Sequence, residues 1–515
     1  MSHPLLFTLH HLRPRQVFFQ VWRRVRKARY KAVEAPRKGG AVMAAPIEKY
    51  KSLEGERLTF LNISAPFTTW NDAANGMLWA YNLNYMDWLG QPGMDLQTGR
   101  RWIDRFIADK DVRIGFDPYP IALRGINWIK FIAAHDAEID TARRKRWDDS
   151  LYSQYVLLTR KLEYHLLGNH LLEDAFSLFV AAIYFADANF YKKATRLLKK
   201  ELTEQLLPDG AHYEQSPMYH CILLDRLLDC VNISQGNSRF AGQEAFTAFL
   251  AQHAVRMLGH LDSICYADDT YPLFNDAAEG IAPTPPQIKD YARRLGLTWQ
   301  TLPLGACGYR HLQGPRTEAF LDAGAITATY QPGHSHADAL NYEVRLDGRP
   351  FIVDTGISTY NKTARRQYER STAAHNTVTV ADRDTDEVWS GFRVGRRAKV
   401  GIEKEDTRSV TAHVVSYGTV HRRTFSLADD DTLRITDALS RPDDGISRIH
   451  FAQGVTVLSY NNKEIVTDRG VISIEGAASV DIVDNTCSTA YNILQPIKVA
   501  EIHFEHTLTY ALQPA

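Results

Sequence analysis

Three stretches hold the residues whose types and spacing could carry chemistry. The first is Gly168-Asn169-His170-Leu171-Leu172-Glu173-Asp174. On a helix His170, Glu173 and Asp174 fall at i, i+3 and i+4 and share one face, and Asn169 is placed to cap that helix. An amide beside an imidazole can neutralise an anion, although the same residues also suit a capped surface helix with a solvated acidic turn. The second stretch runs from Asp209 to His220 and contains Glu214-Gln215-Ser216-Pro217-Met218-Tyr219-His220. Ser216 followed by Pro217 reads as an N-cap and first helical position. Tyr219 then lies in the first turn, where the helix dipole favours negative charge. Its phenol is expected to ionise more easily than the reference pKa of about 10 implies, which would make it a base; a core tyrosine beside a loop is the competing reading. The third stretch is Gly333-His334-Ser335-His336-Ala337-Asp338, followed by Asp354 and by His375-Asn376-Thr377. Imidazole and carboxylate together suit a divalent metal such as zinc, and a hydrogen-bonded histidine cluster without metal is the alternative. Asp347-Gly348 predicts a hairpin over 341–354 that sets Asp354 opposite Asn341, five residues from His336. The loop at 333–338 must fold back if both are to share one metal. A cupin would need a glutamate soon after His-x-His, and Glu343, seven residues on, is a poor match.

The elements that must position these groups change character along the chain. Residues 1–40 carry Arg13, Arg15, Arg23, Arg24, Arg26, Lys27, Arg29, Lys31, Arg37 and Lys38 against the single acid Glu34. Phe18, Phe19, Val21, Trp22 and Val25 are interleaved with them. This reads as an amphipathic helix able to touch an anionic surface, or as one packed on the body with its basic face in water. Gly39-Gly40 reads as a linker. From about 60 to 300 the apolar residues recur at helical spacing: Leu151, Tyr155, Leu158 and Leu162; Phe176, Val180 and Tyr184; Leu223, Leu227 and Val231. After about 308 short β-branched stretches appear, at Ala325–Tyr330, Asn341–Leu346, Phe351–Val353, Thr377–Val380, Val410–Val415, Leu433–Thr436, Val455–Leu458, Val471–Ile474 and Val480–Val483. Turn signals separate them, as in an antiparallel sandwich. The expected class is multidomain α+β: a basic arm (1–45), an incomplete α/α toroid (46–305) and an antiparallel β-sandwich (306–515), with the catalytic groups at the seam.

Bulk properties bound what such a chain can be. At roughly 100–200 residues per domain, 515 residues make two to four domains. A hydrophobic fraction of 44%, a charged fraction of 23% and a formal net charge of zero describe a globular protein with no global pull towards nucleic acid. Cys221, Cys230, Cys265, Cys307 and Cys487 form no C-x-x-C pair, and reduced thiols in a reducing compartment are expected. The basic residues near the N-terminus follow the apolar stretch instead of preceding it, unlike an ordinary signal peptide. The longest apolar run, Phe176–Ala186, is far short of the ~20 residues of a membrane span. The default is a cytoplasmic protein, with periplasmic export left open. Glycine motifs for phosphate or dinucleotide binding are absent.

Taken together, the stretches resemble the heparinase II/III family of polysaccharide lyases. The resemblance is carried, in order, by Asn169-His170 with Glu173, by Glu214-x-x-Pro217-x-Tyr219-His220, by Gly333-His334-Ser335-His336-x-Asp338, and by Arg370-Ser371-Thr372-x-x-His375-Asn376-Thr377. It covers about residues 60–400 well and the last hundred only in texture. It implies a toroid followed by a sandwich, and cleavage of a uronate-containing polysaccharide by β-elimination. It also implies that Asn169 and His170 neutralise the uronate carboxylate, that Tyr219 serves as base, acid or both, and that His334 lies beside the reacting sugar. His336, Asp354 and His375 would hold a structural zinc. Tyr213 competes with Tyr219, and the Tyr219-His220 pair matches the family pattern.

The chemistry asks for the same residue types independently. Removal of the C5 proton of a uronate places charge on the carboxylate, and an amide and an imidazolium there stabilise it as an oxyanion hole does. A phenolate can take the proton and protonate the leaving oxygen if both lie on one face of the ring. With the opposite stereochemistry a second base is needed, and His334 or His170 is the candidate. Carbohydrate contacts are expected from Trp79, Tyr81, Asn82 and Tyr85, from Arg124, Asn127 and Trp128, from Glu173, and from Tyr360 and Arg370, although any one of the aromatic residues could equally be core. Two other functions compete. A glycoside hydrolase needs two opposed carboxylates, for which Glu173, Glu214, Asp276 or Glu279 could be proposed. A glycan-binding or assembly protein without catalysis would not need the Asn169, His170, Tyr219 and His334 set.

Overall fold

The computed structural model describes residues 4–515. Helices α1 (Pro4–His11) and α2 (Pro14–Val25) open the chain, and an extended stretch leads to a three-stranded meander at Leu53–Glu54, Arg57–Phe60 and Ile63–Pro66. Gly39-Gly40 is no free linker. Gly39 N–H donates to Asp148 and Gly40 N–H to the Tyr184 carbonyl, and a Cβ on Gly39 would run into the Tyr184 ring. The pair is glycine because the chain lies flat on that ring.

Among the described residues nine helices then build the toroid: α3 (Met77–Tyr85), α4 (Leu96–Ala108), α5 (Pro118–Ala134), α6 (Thr141–Lys161), α7 (Gly168–Phe185), α8 (Ala188–Gln205), α9 (Pro217–Gly236), α10 (Gln243–Ile264) and α11 (Pro285–Arg294). α5, α7 and α9 pack on one another as an inner row, and α6, α8 and α10 flank it. Composition explains the layers. Beyond Asp174, α7 is almost wholly apolar, and the helix buries every residue except His170, as an inner helix must. α8 buries one stripe, including Phe190, Ala194, Leu197, Leu198 and Leu202, and turns its lysines outward. No helix among the described residues is long and apolar enough to cross a membrane, and the five cysteines are unpaired.

The β half begins at Tyr309. An eight-stranded antiparallel sheet faces two four-stranded ones over a core that includes Leu321, Val344, Phe425, Ile435, Phe451 and Leu512. One four-stranded sheet runs Tyr309–Gln313, Thr317–Asp322, Asn341–Leu346 and Arg349–Ile352. An isolated bridge from Ile352 to Phe451 links it to the other. The Asp347-Gly348 hairpin forms, with both residues at positive φ. A one-residue register shift at Val344/Arg345 leaves Asn341 Nδ2 bonded to Asp354 Oδ2 at 2.6 Å. Ala325–Tyr330 is a loop and not the expected strand, because Thr327 bonds its backbone N–H to the Gln215 side chain and its hydroxyl to the Tyr213 carbonyl. The helical core continues into Phe320, Tyr330, Ile357 and Tyr491 of the β half. The two halves therefore share one apolar interior along the seam.

Candidate active site

Two helix N-termini and one β-side loop meet at the seam. At the start of α7, Leu167 and Gly168 take positive φ. A Cβ on Gly168 would sit 2.5 Å from Glu214 Oε1, so glycine is required for the close approach. Asn169 does not cap the helix, because Leu167 holds that position and the Asn169 side chain is used elsewhere. Its Nδ2 lies 2.7 Å from Glu214 Oε2 and 3.1 Å from His334 Nε2, and its backbone N–H donates to Glu214 Oε1 at 3.0 Å. At the start of α9, Ser216 caps by accepting the Tyr219 N–H, with Pro217 in the first turn. The Tyr219 ring packs on His334 with centroids 3.9 Å apart, and its hydroxyl meets the Tyr360 hydroxyl at 3.2 Å.

The expected easy ionisation of Tyr219 does not hold. Burial pushes its pKa well above the ordinary value, and the Asp276 and Glu214 carboxylates add to this. The hydrogen bond from Tyr360 and the Arg366 charge pull the other way without prevailing. A helix terminus offers partial charge only within its first turn, and burial costs an anion more. The resting group is a neutral phenol. Tyr213 points elsewhere, with its hydroxyl bonded to that of Tyr330 at 2.9 Å.

Asp276 organises the β side. It is fully buried and accepts from His334 Nδ1 at 2.8 Å, His336 Nε2 at 2.9 Å, and both terminal nitrogens of Arg366 at 2.5 and 2.7 Å. Although burial works against its charge, Arg366 and the two histidines hold its carboxyl well below the carboxylate range. His334 donates its Nδ1–H to Asp276 and turns the Nε2 lone pair towards Asn169. His170 stands at the rim with Nδ1 3.1 Å from Glu163 Oε2. Burial works to lower its pKa, but the charge and hydrogen bond of Glu163 outweigh this and raise it.

Three buried atoms behind His334 have no hydrogen-bond partner: His336 Nδ1, Asp338 Oδ2 and His375 Nε2. Ligand atoms of these three residues lie within 4.8 Å of one another. The second ring nitrogen of each histidine donates to a carboxylate, His336 to Asp276 and His375 to Asp354 at 2.8 Å. This is the support that metal-ligating imidazoles receive, and burial keeps His336 neutral by lowering it to about 3. The donor set fits a divalent cation such as zinc. Asp354, expected as a ligand, accepts from His375 Nδ1 at 2.8 Å and from Asn341 Nδ2 at 2.6 Å. Asp338 stands beside His336 and His375 because the 333–338 loop folds back, pinned by Ala337 N–H on the Arg370 carbonyl and by Arg370 Nη2 on the Ser335 carbonyl.

Several expected substrate contacts lie in the interior. Arg124 is fully buried, its guanidinium spent on Gln154 and on the Asn84 and Gly115 carbonyls. Asn127 donates to the Tyr85 carbonyl and Trp128 to Met86 Sδ. Arg370 is buried on the Ser335 carbonyl. Trp79 is core, and its indole donates to the Ile63 carbonyl. Glu173 is wholly buried 3.7 Å from Arg226, and burial raises it to about 7. Arginine and asparagine on inner helices serve there as donors to orphan carbonyls, which sequence spacing cannot distinguish from a groove. Glu173 and Asp276 are equally closed to a substrate, which removes the carboxylate pairs a hydrolase would build on them. Tyr360 does reach the centre. Tyr81, Tyr85 and Tyr119 run ring to ring towards His170, with centroids 6.3, 5.8 and 4.9 Å apart. Tyr119, Glu163 and Arg366 carried no motif signal, Asp276 stood only among the hydrolase carboxylates, and Glu214 belonged both to those and to the segment running to Tyr219-His220.

Two family models match the chain, the heparinase II/III N-terminus over residues 149–293 and the heparinase II/III-like C-terminal domain over residues 298–510. A heparin-sulfate lyase of Bacteroides stercoris is 21% identical over 317 residues, 56% of this chain and 46% of its own length. One from Pedobacter heparinus is 25% identical over 241 residues, 41% of this chain and 36% of its own. The match thus spans under half the length of these curated relatives. Among solved structures, a heparinase III superposes with a TM-score of 0.66 at 15% identity, covering 85% of this chain and 76% of its own. A heparan sulfate lyase from Pedobacter heparinus gives 0.61 at 15% identity, over 97% and 87%. A chondroitin AC lyase of Streptomyces coelicolor A3 gives 0.51 at 11% identity, over 92% and 77%. At these identities the likeness is one of fold.

Proposed function

The chain belongs to the heparinase II/III-like family, and from that premise we propose that it is a polysaccharide lyase acting on a uronate-containing acidic glycan. The observation that carries this reading is the meeting of Asn169 and Tyr219 from the toroid with His334 and Tyr360 from the β half. Asn169 and the imidazolium of His170 receive the uronate carboxylate and stabilise the charge that builds on it when the C5 proton leaves. His334 Nε2 takes that proton, its ring held in the required tautomer by Asp276. The Tyr219 phenol, neutral at rest, gives its proton to the departing glycosidic oxygen, and Tyr360 donates to the phenolate left behind. The C4–O bond breaks, a C4–C5 double bond forms, and afterwards His334 releases the proton it took while Tyr219 regains one, both through solvent. His336, Asp338 and His375 would hold zinc, which fixes the loop bearing His334 and takes no part in proton transfer.

The test is to incubate the purified chain with a panel of uronate polymers and read ultraviolet absorbance together with reducing ends. Both are expected to rise in step on at least one polymer. Reducing ends that rise without the chromophore would instead mean hydrolysis.

A further inference from the structure

Helix α2 is amphipathic, and it is mounted the wrong way round for a helix that belongs to the body. The side facing the protein is polar apart from Phe19, which packs on Tyr164 with ring centroids 4.7 Å apart. Gln16 is buried and donates from Nε2 to the Leu166 carbonyl at 3.1 Å and the Tyr330 carbonyl at 3.3 Å. Arg13 stacks on Tyr330 and pairs with Glu204, and Arg15 lies over Tyr164. The apolar stripe at helical spacing, Val17, Phe18, Val21, Trp22 and Val25, faces solvent, with Phe18 57%, Val21 58% and Val25 77% exposed. Phe18 and Trp22 stack on each other in the open, 5.9 Å apart. On the neighbouring helix α1, Leu6 and Leu9 are exposed as well. An exposed apolar stripe of this kind marks an interaction surface.

The charge around the patch selects the partner. Arg24, Lys27, Arg29 and Lys31 are exposed and make no ion pair among the described residues. Residues 1–40 hold ten basic side chains and one acid. A second copy of the chain would set this charge against itself, whereas an anionic surface with an apolar interior satisfies both halves of the pattern. We propose that α1 and α2 dock the protein on an anionic phospholipid bilayer, with Phe18, Val21, Trp22 and Val25 entering the acyl boundary and the adjoining arginines and lysines meeting the headgroups. Gln16 ties this anchor to both halves of the seam, since Leu166 lies four residues before His170 and Tyr330 four residues before His334. Docking therefore brings the rim of the catalytic groove beside the lipid. This inference rests on the arm alone and stands whether or not the lyase reading holds.

Co-sedimentation of the full chain with phosphatidylglycerol-containing vesicles tests it, with pure phosphatidylcholine vesicles as the neutral arm. The wild type is expected to partition onto the anionic vesicles, and less so at high salt. Phe18→Ser combined with Trp22→Ser is expected to reduce partitioning by about tenfold or more, as is Arg24→Glu combined with Lys27→Glu. All four side chains are exposed, so an unchanged melting temperature serves as the folding control. Absence of wild-type binding would overturn the proposal, and so would binding at the wild-type level by either variant. A wild-type dimer in solution that Phe18→Ser with Trp22→Ser converts to monomer would also overturn it, by assigning the patch to self-association.

Discussion

The phenol oxygens of Tyr219 and Tyr360 lie 3.2 Å apart, and one comes from the first turn of a toroid helix while the other comes from a β-side loop. Tyr219→Phe is expected to lower kcat by about a hundredfold to ten-thousandfold, the range for losing a general acid, with KM nearly unchanged. Tyr360→Phe, which removes only a supporting hydrogen bond, is expected to cost about tenfold. Steady-state kinetics on the best polymer of the panel checks both. A Tyr219→Phe enzyme that keeps most of its activity would move the acid role to another group.

The rim cation should give the substrate affinity a pH limb. Glu163 raises His170 above its ordinary value despite burial, so the imidazolium persists into more alkaline solution than a free histidine would. Its contribution to stability is full below the unfolded pKa of about 6.5 and fades as pH rises through the folded one. Affinity for an anionic glycan should weaken over the same interval. Glu163→Gln should move the KM limb to lower pH while leaving kcat at its plateau nearly unchanged. A limb that stays in place would separate His170 from carboxylate binding.

Gly168 is where the backbone admits no side chain. Gly168→Ala adds a methyl 2.5 Å from Glu214 Oε1 at a φ of +57°. A loss of about 1–3 kcal/mol in unfolding free energy is expected, with a larger proportional loss of activity because Asn169 and Glu214 shift together. Thermal and denaturant melts set against kcat/KM would show this, and unaltered melting would contradict the geometry.

The buried histidine pair makes a metal prediction with an internal control. Elemental analysis of the purified chain should find about one equivalent of zinc, and chelation should lower the melting temperature. Asp338→Asn removes a ligand and should empty the site. Asp354→Asn acts through His375 and should weaken binding by about 10–100-fold. Less than about a tenth of an equivalent in the wild type would dismiss the metal, and an emptier Asp354→Asn than Asp338→Asn would restore Asp354 as the ligand.

Particular residues show how far the sequence could be read. Ser216-Pro217 marked the start of α9 because capping is local, and the hairpin at Asp347-Gly348 followed from turn chemistry for the same reason. Arg124 and Arg370 were misplaced as groove residues because a guanidinium that solvates buried carbonyls has the same sequence spacing as one that meets a sugar. Asp276 gave no motif signal as the hub, since its partners His334, His336 and Arg366 lie 58 to 90 residues away.

The sequence alone determined the order of helical and β halves, the local caps and turns, and the four motif segments that reach the seam. Those are set by periodicity, backbone preference and short-range hydrogen bonding. Only the tertiary structure decided that Tyr219 rests as a neutral phenol, that Asp338 joins His336 and His375 in one buried cluster while Asp354 bonds to His375, and that the apolar stripe of α2 faces outward. Each of these depends on burial or on a distance between residues far apart in the chain, and neither quantity exists until the two halves have packed against each other.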